Sequence, residues 1–134
     1  KKIALKKFNE TFEFIKKLKL KTRRAIRLTL VKEGKEKGEF QKISNSDDEL
    51  IAQYAELIKK SDCDFIEVKG FVSVGFSRKR LGYERMPNQN EIKSFAKKLV
   101  KQLKPAKYKI LDGQEASKVV LLGKSKKLMR IKKI

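Results

Sequence analysis

Apolar residues recur along this chain at two different periods, and the periods alternate. Leu5, Phe8, Phe12, Ile15 and Leu18 are spaced by three and four, the stripe of an amphipathic helix. Residues 25–31 then switch to period two, the spacing of a strand. Ser46 followed by Glu49 predicts a capping box and a second helix, with Leu50, Ile51, Tyr54, Ala55, Leu57 and Ile58 on its apolar side. Residues 64–69 read as a second strand that stops at Gly70. Asn88 with Glu91 gives a weaker cap for a third helix, whose core side is Ile92, Phe95, Ala96, Leu99, Val100 and Leu103 and which Pro105 ends. Residues 108–111 and 118–122 predict further strands, with a last one at 128–131.

The order helix–strand–helix–strand–helix–strand predicts parallel βα units joined by crossover helices, an α/β fold. Three parallel strands cannot close a barrel. The order therefore describes either a small open sheet or a piece of something larger, and a chain that opens on a helix fits the second better. A length of 134 residues suits a single domain, 1–134. The sequence starts at Lys1 rather than Met, as a chain beginning mid-protein would.

Charge narrows the partner. Thirty-six Lys and Arg against 16 Asp and Glu give a net charge of +20. Heat adaptation raises Glu together with Lys and so predicts balance rather than this excess. A polyanion explains the imbalance better, and nucleic acid is the commonest one. No apolar run is long enough for a membrane span, no secretory leader is visible, and no helix pairs a basic face with a Trp-bearing apolar one. A cytoplasmic protein without a membrane partner is expected. One cysteine and no histidine exclude a disulfide framework, a Cys/His zinc site and histidine-based catalysis within this chain. Cys63, flanked by Asp62 and Asp64, reads as a buried packing thiol.

Period-two geometry puts Arg27, Thr29 and Val31 on one face of the first strand, and Phe65, Glu67 and Lys69 on one face of the second. With the apolar faces packed on helices, Arg27, Thr29, Glu67 and Lys69 line the other side together. That side has two readings: a ligand-facing wall, or a solvent face on which Arg27 and Glu67 form an ordinary ion pair. Residues 71–87 follow the carboxyl end of a strand, where parallel α/β folds place their ligands. This stretch carries Ser73, Ser77, Arg78, Lys79, Arg80 and Arg85 among Phe76 and Tyr83. Cations interleaved with rings suit an unpaired nucleic-acid strand, and a solvated surface loop is the plainer reading. Further basic clusters fall at residues 16–24 and 124–133, and no glycine-rich phosphate fingerprint occurs.

The stretch DFIEVKGFVSVGFSRKRL, the Met86–Pro87 pair after it, AIRLTLVK upstream and SKVVLLGK downstream together resemble the closing part of the tRNA 4-demethylwyosine synthases. The resemblance runs from about Arg24 to Lys124. It implies the C-terminal part of an incomplete, partial TIM-like radical S-adenosylmethionine barrel, with a wybutosine-type tRNA-binding segment at about 64–123. It implies an enzyme that forms 4-demethylwyosine from N1-methylguanosine-37 of phenylalanine tRNA and pyruvate, using S-adenosylmethionine and 4Fe-4S clusters. The cluster cysteines of that family lie in the amino-terminal half, which this chain lacks. A separate chain or a removed segment would have to supply that half, and this chain alone would be inactive. By analogy Arg27, Thr29 and Lys69 line the barrel interior as cofactor-binding residues, and Ser77, Arg78, Lys79, Arg80 and Arg85 lie near the tRNA. No catalytic residue and no metal ligand is assigned to this chain. The competing readings are a stand-alone basic RNA-binding module and a small ribosome-associated protein.

Overall fold

The computed structural model describes residues 2–18, 23–34 and 44–130. Within them lie helix α1 (Lys2–Lys17), strand β1 (Ala25–Leu30), helix α2 (Asp48–Ser61), strand β2 (Phe65–Gly70), helix α3 (Gln89–Gln102) and strands β3 (Lys109–Gln114) and β4 (Val119–Gly123). Residues 35–43, between the first strand and the second helix, lie outside the described residues, as does Ile131 from the expected last strand. Leu128 and Met129 of that strand fall instead in a 3-10 turn, Lys126–Met129, started by Ser125, whose Oγ accepts from Lys127 N.

Strand order in the sheet is β1-β2-β4-β3. β1 and β2 pair in parallel, and β4 pairs antiparallel with both β2 and β3. β3 thus points the same way as β1 and β2, as the crossover pattern predicts. The all-parallel expectation fails at β4, which inserts between β2 and β3. The reason is chain length: four residues separate β3 from β4, enough for a hairpin turn and far too few for a crossover.

Cross-strand register sorts the side chains into two faces. Ile26, Leu28, Ile66, Val68, Val120 and Leu122 point towards α2 and α3. They close a core with Ile51, Ala55 and Ile58 from α2 and Ile92, Phe95, Ala96 and Leu99 from α3. Tyr54 and Phe95 meet edge to face where these helices touch, with ring centroids 6.1 Å apart. α1 packs against α2 and buries Phe12.

Both crossover helices are started by sequence signals, with different outcomes. Asn88 Oδ1 accepts from Glu91 N at 2.9 Å while Glu91 Oε2 accepts from Asn88 N at 2.7 Å, so this capping box forms in full. The Ser46–Glu49 box does not form. Asp47 occupies the N-cap of α2, and Ser46 Oγ donates to Val31 O instead, tying the start of α2 to the end of β1. No helix among the described residues is long and apolar enough to cross a membrane.

Candidate functional site

The second face of the sheet is the first component of the site. Arg27 pairs in register with Glu67, and Thr29 with Lys69. Glu67 and Lys69 in turn stand opposite Leu121 and Val119. The polar wall expected from period-two geometry is therefore assembled on one side of the sheet, away from α2 and α3. Arg27 Nε donates to Glu67 Oε2 at 2.6 Å, so the ion-pair reading of these two is realised. Lys69 Nζ reaches across the hairpin turn to Ser117 O at 2.9 Å. A cleft of about 480 Å³ opens beside the wall, lined by Glu67, Asp112, Gly113, Gln114, Val119 and Leu121.

Asp112 and Gln114 are cleft residues that period-two reading misses. The register of β3 against β4 slips between Ile110 and Asp112, a bulge that continues the strand past Leu111. The Asp112–Gly113 pair looks in sequence like a turn, which hides this continuation. Gly123 makes room for the bulge: a Cβ there would lie 2.7 Å from Leu111 Cδ1 and 2.9 Å from Phe65 Cδ1.

The second component is the connection from β2 to α3. It is strapped down rather than loose. Phe71 N donates to Leu30 O at 2.8 Å, Ser73 Oγ to Leu81 O at 2.9 Å, and Lys32 N to Arg85 O at 3.0 Å. Two 3-10 turns, Gly75–Lys79 and Tyr83–Arg85, shape its outer part, and Gly75 takes φ +55° where a side chain would be strained.

The five residues expected to face RNA separate into four environments. Ser77 Oγ accepts from Val74 N and donates to Val74 O, which locks the first turn. Arg78 Nε donates to Ser73 O at 3.1 Å, and its guanidinium lies 5.9 Å from the Tyr83 ring centroid. Lys79 Nζ sits 5.3 Å from the centroid of Phe76, which is 81% exposed, and Arg80 is exposed as well. Arg85 is different: it is fully buried at 0% and cannot present a cation to a nucleic-acid backbone. The expectation that Arg85 lies at the RNA surface is corrected on that ground. It is among the largest fully buried side chains, a burial that an Arg in a basic run gives no sequence sign of.

The two remaining basic clusters meet each other at the opposite end of the sheet. Arg23 NH1 donates to Leu128 O and Met129 O at 3.1 and 3.0 Å, joining the start of β1 to the turn after β4. Arg24 bonds Ile15 O and Asp62 O and lies 3.7 Å from Asp64. Lys124 pairs with Asp62, and its hydrogen bond holds that carboxyl below the usual carboxylate range. A six-residue strand puts this end roughly 20 Å from the β2–α3 loop, so the clusters do not extend the loop's surface directly. Lys19, Lys21, Lys132 and Lys133 lie outside the described residues.

Cys63 is buried beside Tyr108, whose hydroxyl donates to Cys63 O, and burial pushes the thiol up. Among the described residues no group of His, Cys, Asp or Glu could hold a metal ion. An iron–sulfur cluster does not fit the residues of this chain.

Comparison with known proteins places this geometry in a family. The sequence profile described as Wyosine base formation matches residues 60–124, from the end of α2 to the residue after β4. An S-adenosyl-L-methionine-dependent tRNA 4-demethylwyosine synthase of Pyrococcus horikoshii is 42% identical over 103 residues, covering 77% of this chain and 26% of that protein. The chain belongs to the tRNA 4-demethylwyosine synthase family. A synthase of the same name from Methanocaldococcus jannaschii is 37% identical over 105 residues, covering 78% of this chain and 29% of that protein. Among solved structures, TYW1 with a lysine-pyruvate adduct bound superposes with a TM-score of 0.68 at 31% identity, over 92% of this chain and 34% of that one. An archaeal TYW1 crystal structure gives 0.62 at 28% identity, over 92% of this chain and 33% of that one. The chain spans about a quarter of the length of the Pyrococcus synthase and corresponds to the C-terminal part of the family.

Proposed function

We propose that this chain is the C-terminal part of a radical S-adenosylmethionine enzyme that converts N1-methylguanosine-37 of phenylalanine tRNA, with pyruvate, into 4-demethylwyosine. The observation that carries the proposal is the one-sidedness of the sheet in a member of this family. Two helices cover one face, and the other presents Arg27, Thr29, Glu67 and Lys69 beside an open cleft. Ionisable groups on a parallel pair are costly to cover unless a ligand or a polar partner meets them. In a partial barrel this face is the interior wall.

Arg27, Thr29 and Lys69 fit S-adenosylmethionine through charge and hydrogen bonding to its amino-acid end, and its cleavage would supply the radical chemistry. Cluster ligands have no counterpart here, and the remainder of the enzyme has to provide them. The chain's own contribution is positioning. Glu67 holds Arg27 in place, Ser117 O holds Lys69, and the strapped loop after β2 carries Lys79 and Arg80 as exposed cations, the groups that meet phosphates. Segment 64–123 is the tRNA-binding part in this reading.

The test is product formation. The complete polypeptide, loaded with iron and sulfide and given S-adenosylmethionine, pyruvate and N1-methylguanosine tRNA, is expected to yield 4-demethylwyosine by mass spectrometry of the digested nucleosides. A cluster-loaded protein that binds the tRNA and leaves the base unchanged would overturn the assignment and favour a plain RNA-binding module.

A further inference from the structure

Helix α3 carries a row of lysines that the site described above does not use. Lys93, Lys97 and Lys101 follow one another at intervals of four, and Lys104 comes three residues later in the turn that ends the helix. Four-residue and three-residue steps return to one side of a helix, so the four share a face, and all are exposed. Each four-residue step advances roughly 6 Å along the axis. Lys98 lies off this row and is paired with Asp48 on α2.

Among the described residues nothing neutralises the row. None of its four members forms an ion pair among the described residues. The only acid of α3, Glu91, is committed to Asn88 N and to Lys32, 2.8 Å away. Like charges four apart on a helix repel and weaken it. A solvated helix gains nothing from this arrangement, and an external polyanion laid along the row would offset it.

The position of the row says where such a polyanion would come from. α3 starts directly after the β2–α3 loop, with Pro87 and Ile92 close to Gly70 at the carboxyl end of β2. It ends at the opposite side of the sheet, near Tyr108, where Lys124 lies over the ring and the two basic clusters meet. The row therefore runs from the RNA-facing loop to the second cationic patch.

We propose that Lys93, Lys97, Lys101 and Lys104 form a track for the phosphate backbone of the duplex arm of RNA whose unpaired end meets the loop. The inference rests on the functional reading above and adds a second contact surface outside the cleft. Evenly spaced lysines without aromatic rings among them suit a sequence-independent contact with a backbone rather than recognition of bases.

The experiment is a titration of the complete enzyme with its tRNA at several salt concentrations. Alanine at Lys93, Lys97 and Lys101 is expected to weaken binding at least about tenfold and to lower the log–log salt slope by roughly two to three. Turnover at saturating tRNA is expected to stay unchanged, because the row lies outside the cleft. A variant with alanine at Lys6, Lys7 and Lys60 loses the same charge elsewhere and is expected to leave the slope alone. Equal losses in both variants would reduce the row to general charge, and an unchanged slope in the α3 variant would overturn the track outright. Failure of the unmodified enzyme to bind tRNA would sink the parent reading, and it shows in the first titration. Circular dichroism checks the fold, since Lys-to-Ala at exposed helix positions retains helix propensity.

Discussion

Arg27 and Glu67 stand opposite one another in the parallel β1–β2 register, joined Nε to Oε2 at 2.6 Å, on the face that no crossover helix covers. The pair is open to solvent, with Arg27 60% and Glu67 33% exposed at the side chain, so its worth to stability is small. Arg27→Ala is expected to change unfolding free energy in urea by less than about 1 kcal/mol. In the complete enzyme the same change is expected to cut turnover at least tenfold. Equal and large losses in both measurements would make the pair a structural tie.

Arg85 and Arg80 sit five residues apart in one basic run and are expected to behave oppositely. Arg85 is excluded from solvent, and replacing it by Ala leaves a buried space and strips its neighbours of a buried cation. A loss of about 3 kcal/mol or more in unfolding free energy is expected from urea denaturation. Arg80→Ala is expected to stay within about 0.5 kcal/mol of the parent, because the residue is exposed, while lowering the salt slope of RNA binding by about one.

Asp62 sets a pH dependence. It closes α2 in the left-handed region at φ +46°, and its carboxyl is held below its ordinary 3.8, chiefly by the hydrogen bond from Lys124. A carboxyl lowered in the folded state binds its proton later than in the unfolded chain. Its contribution is therefore complete above pH 3.8 and is lost as pH falls through the folded value. Asp62→Asn keeps the left-handed backbone accessible and removes the charge. Parent and variant are expected to differ in denaturation midpoint at neutral pH and to converge at the acid end. A gap that persists unchanged into acid would assign the effect to the backbone.

Cys63 is expected to be inert in the native protein. Its thiol is buried, burial pushes it up, and Tyr108 covers it. An aromatic disulfide reagent at mildly alkaline pH is expected to label it only at the rate of unfolding. Prompt labelling without denaturant would place the thiol at an opening in the core.

Much of this was legible in the residues. Alternating periods locate α1, α2, α3 and strands β1 to β4, though they also suggest a strand at 128–131 where Leu128 and Met129 form a turn, and they place Arg27, Thr29, Glu67 and Lys69 on one face, because side-chain direction follows from period alone. Pairing partners do not. Nothing local in Val119–Gly123 says that it inserts antiparallel beside β2, since that depends on a short turn and on which edge is free. Capping is graded by context too: Asn88 and Glu91 close their box, while Ser46 is drawn off by the carbonyl of Val31. In the loop, a basic run reads as uniformly exposed, yet packing sends Arg85 inwards and leaves Phe76 outside. The bulge at Leu111 hides Asp112 and Gln114 because a one-residue slip leaves no mark in composition.

The most direct measurement separates wall from rim in the complete enzyme, with turnover at saturating tRNA and tRNA dissociation constants measured on the same variants. Alanine at Arg27 and Lys69 is expected to lower turnover while leaving tRNA affinity within about twofold of the parent, and alanine at Lys79 and Arg80 is expected to weaken tRNA binding about tenfold or more while sparing turnover. Wall variants that lose tRNA affinity with turnover intact, or rim variants that bind tRNA as the parent does, would contradict the account.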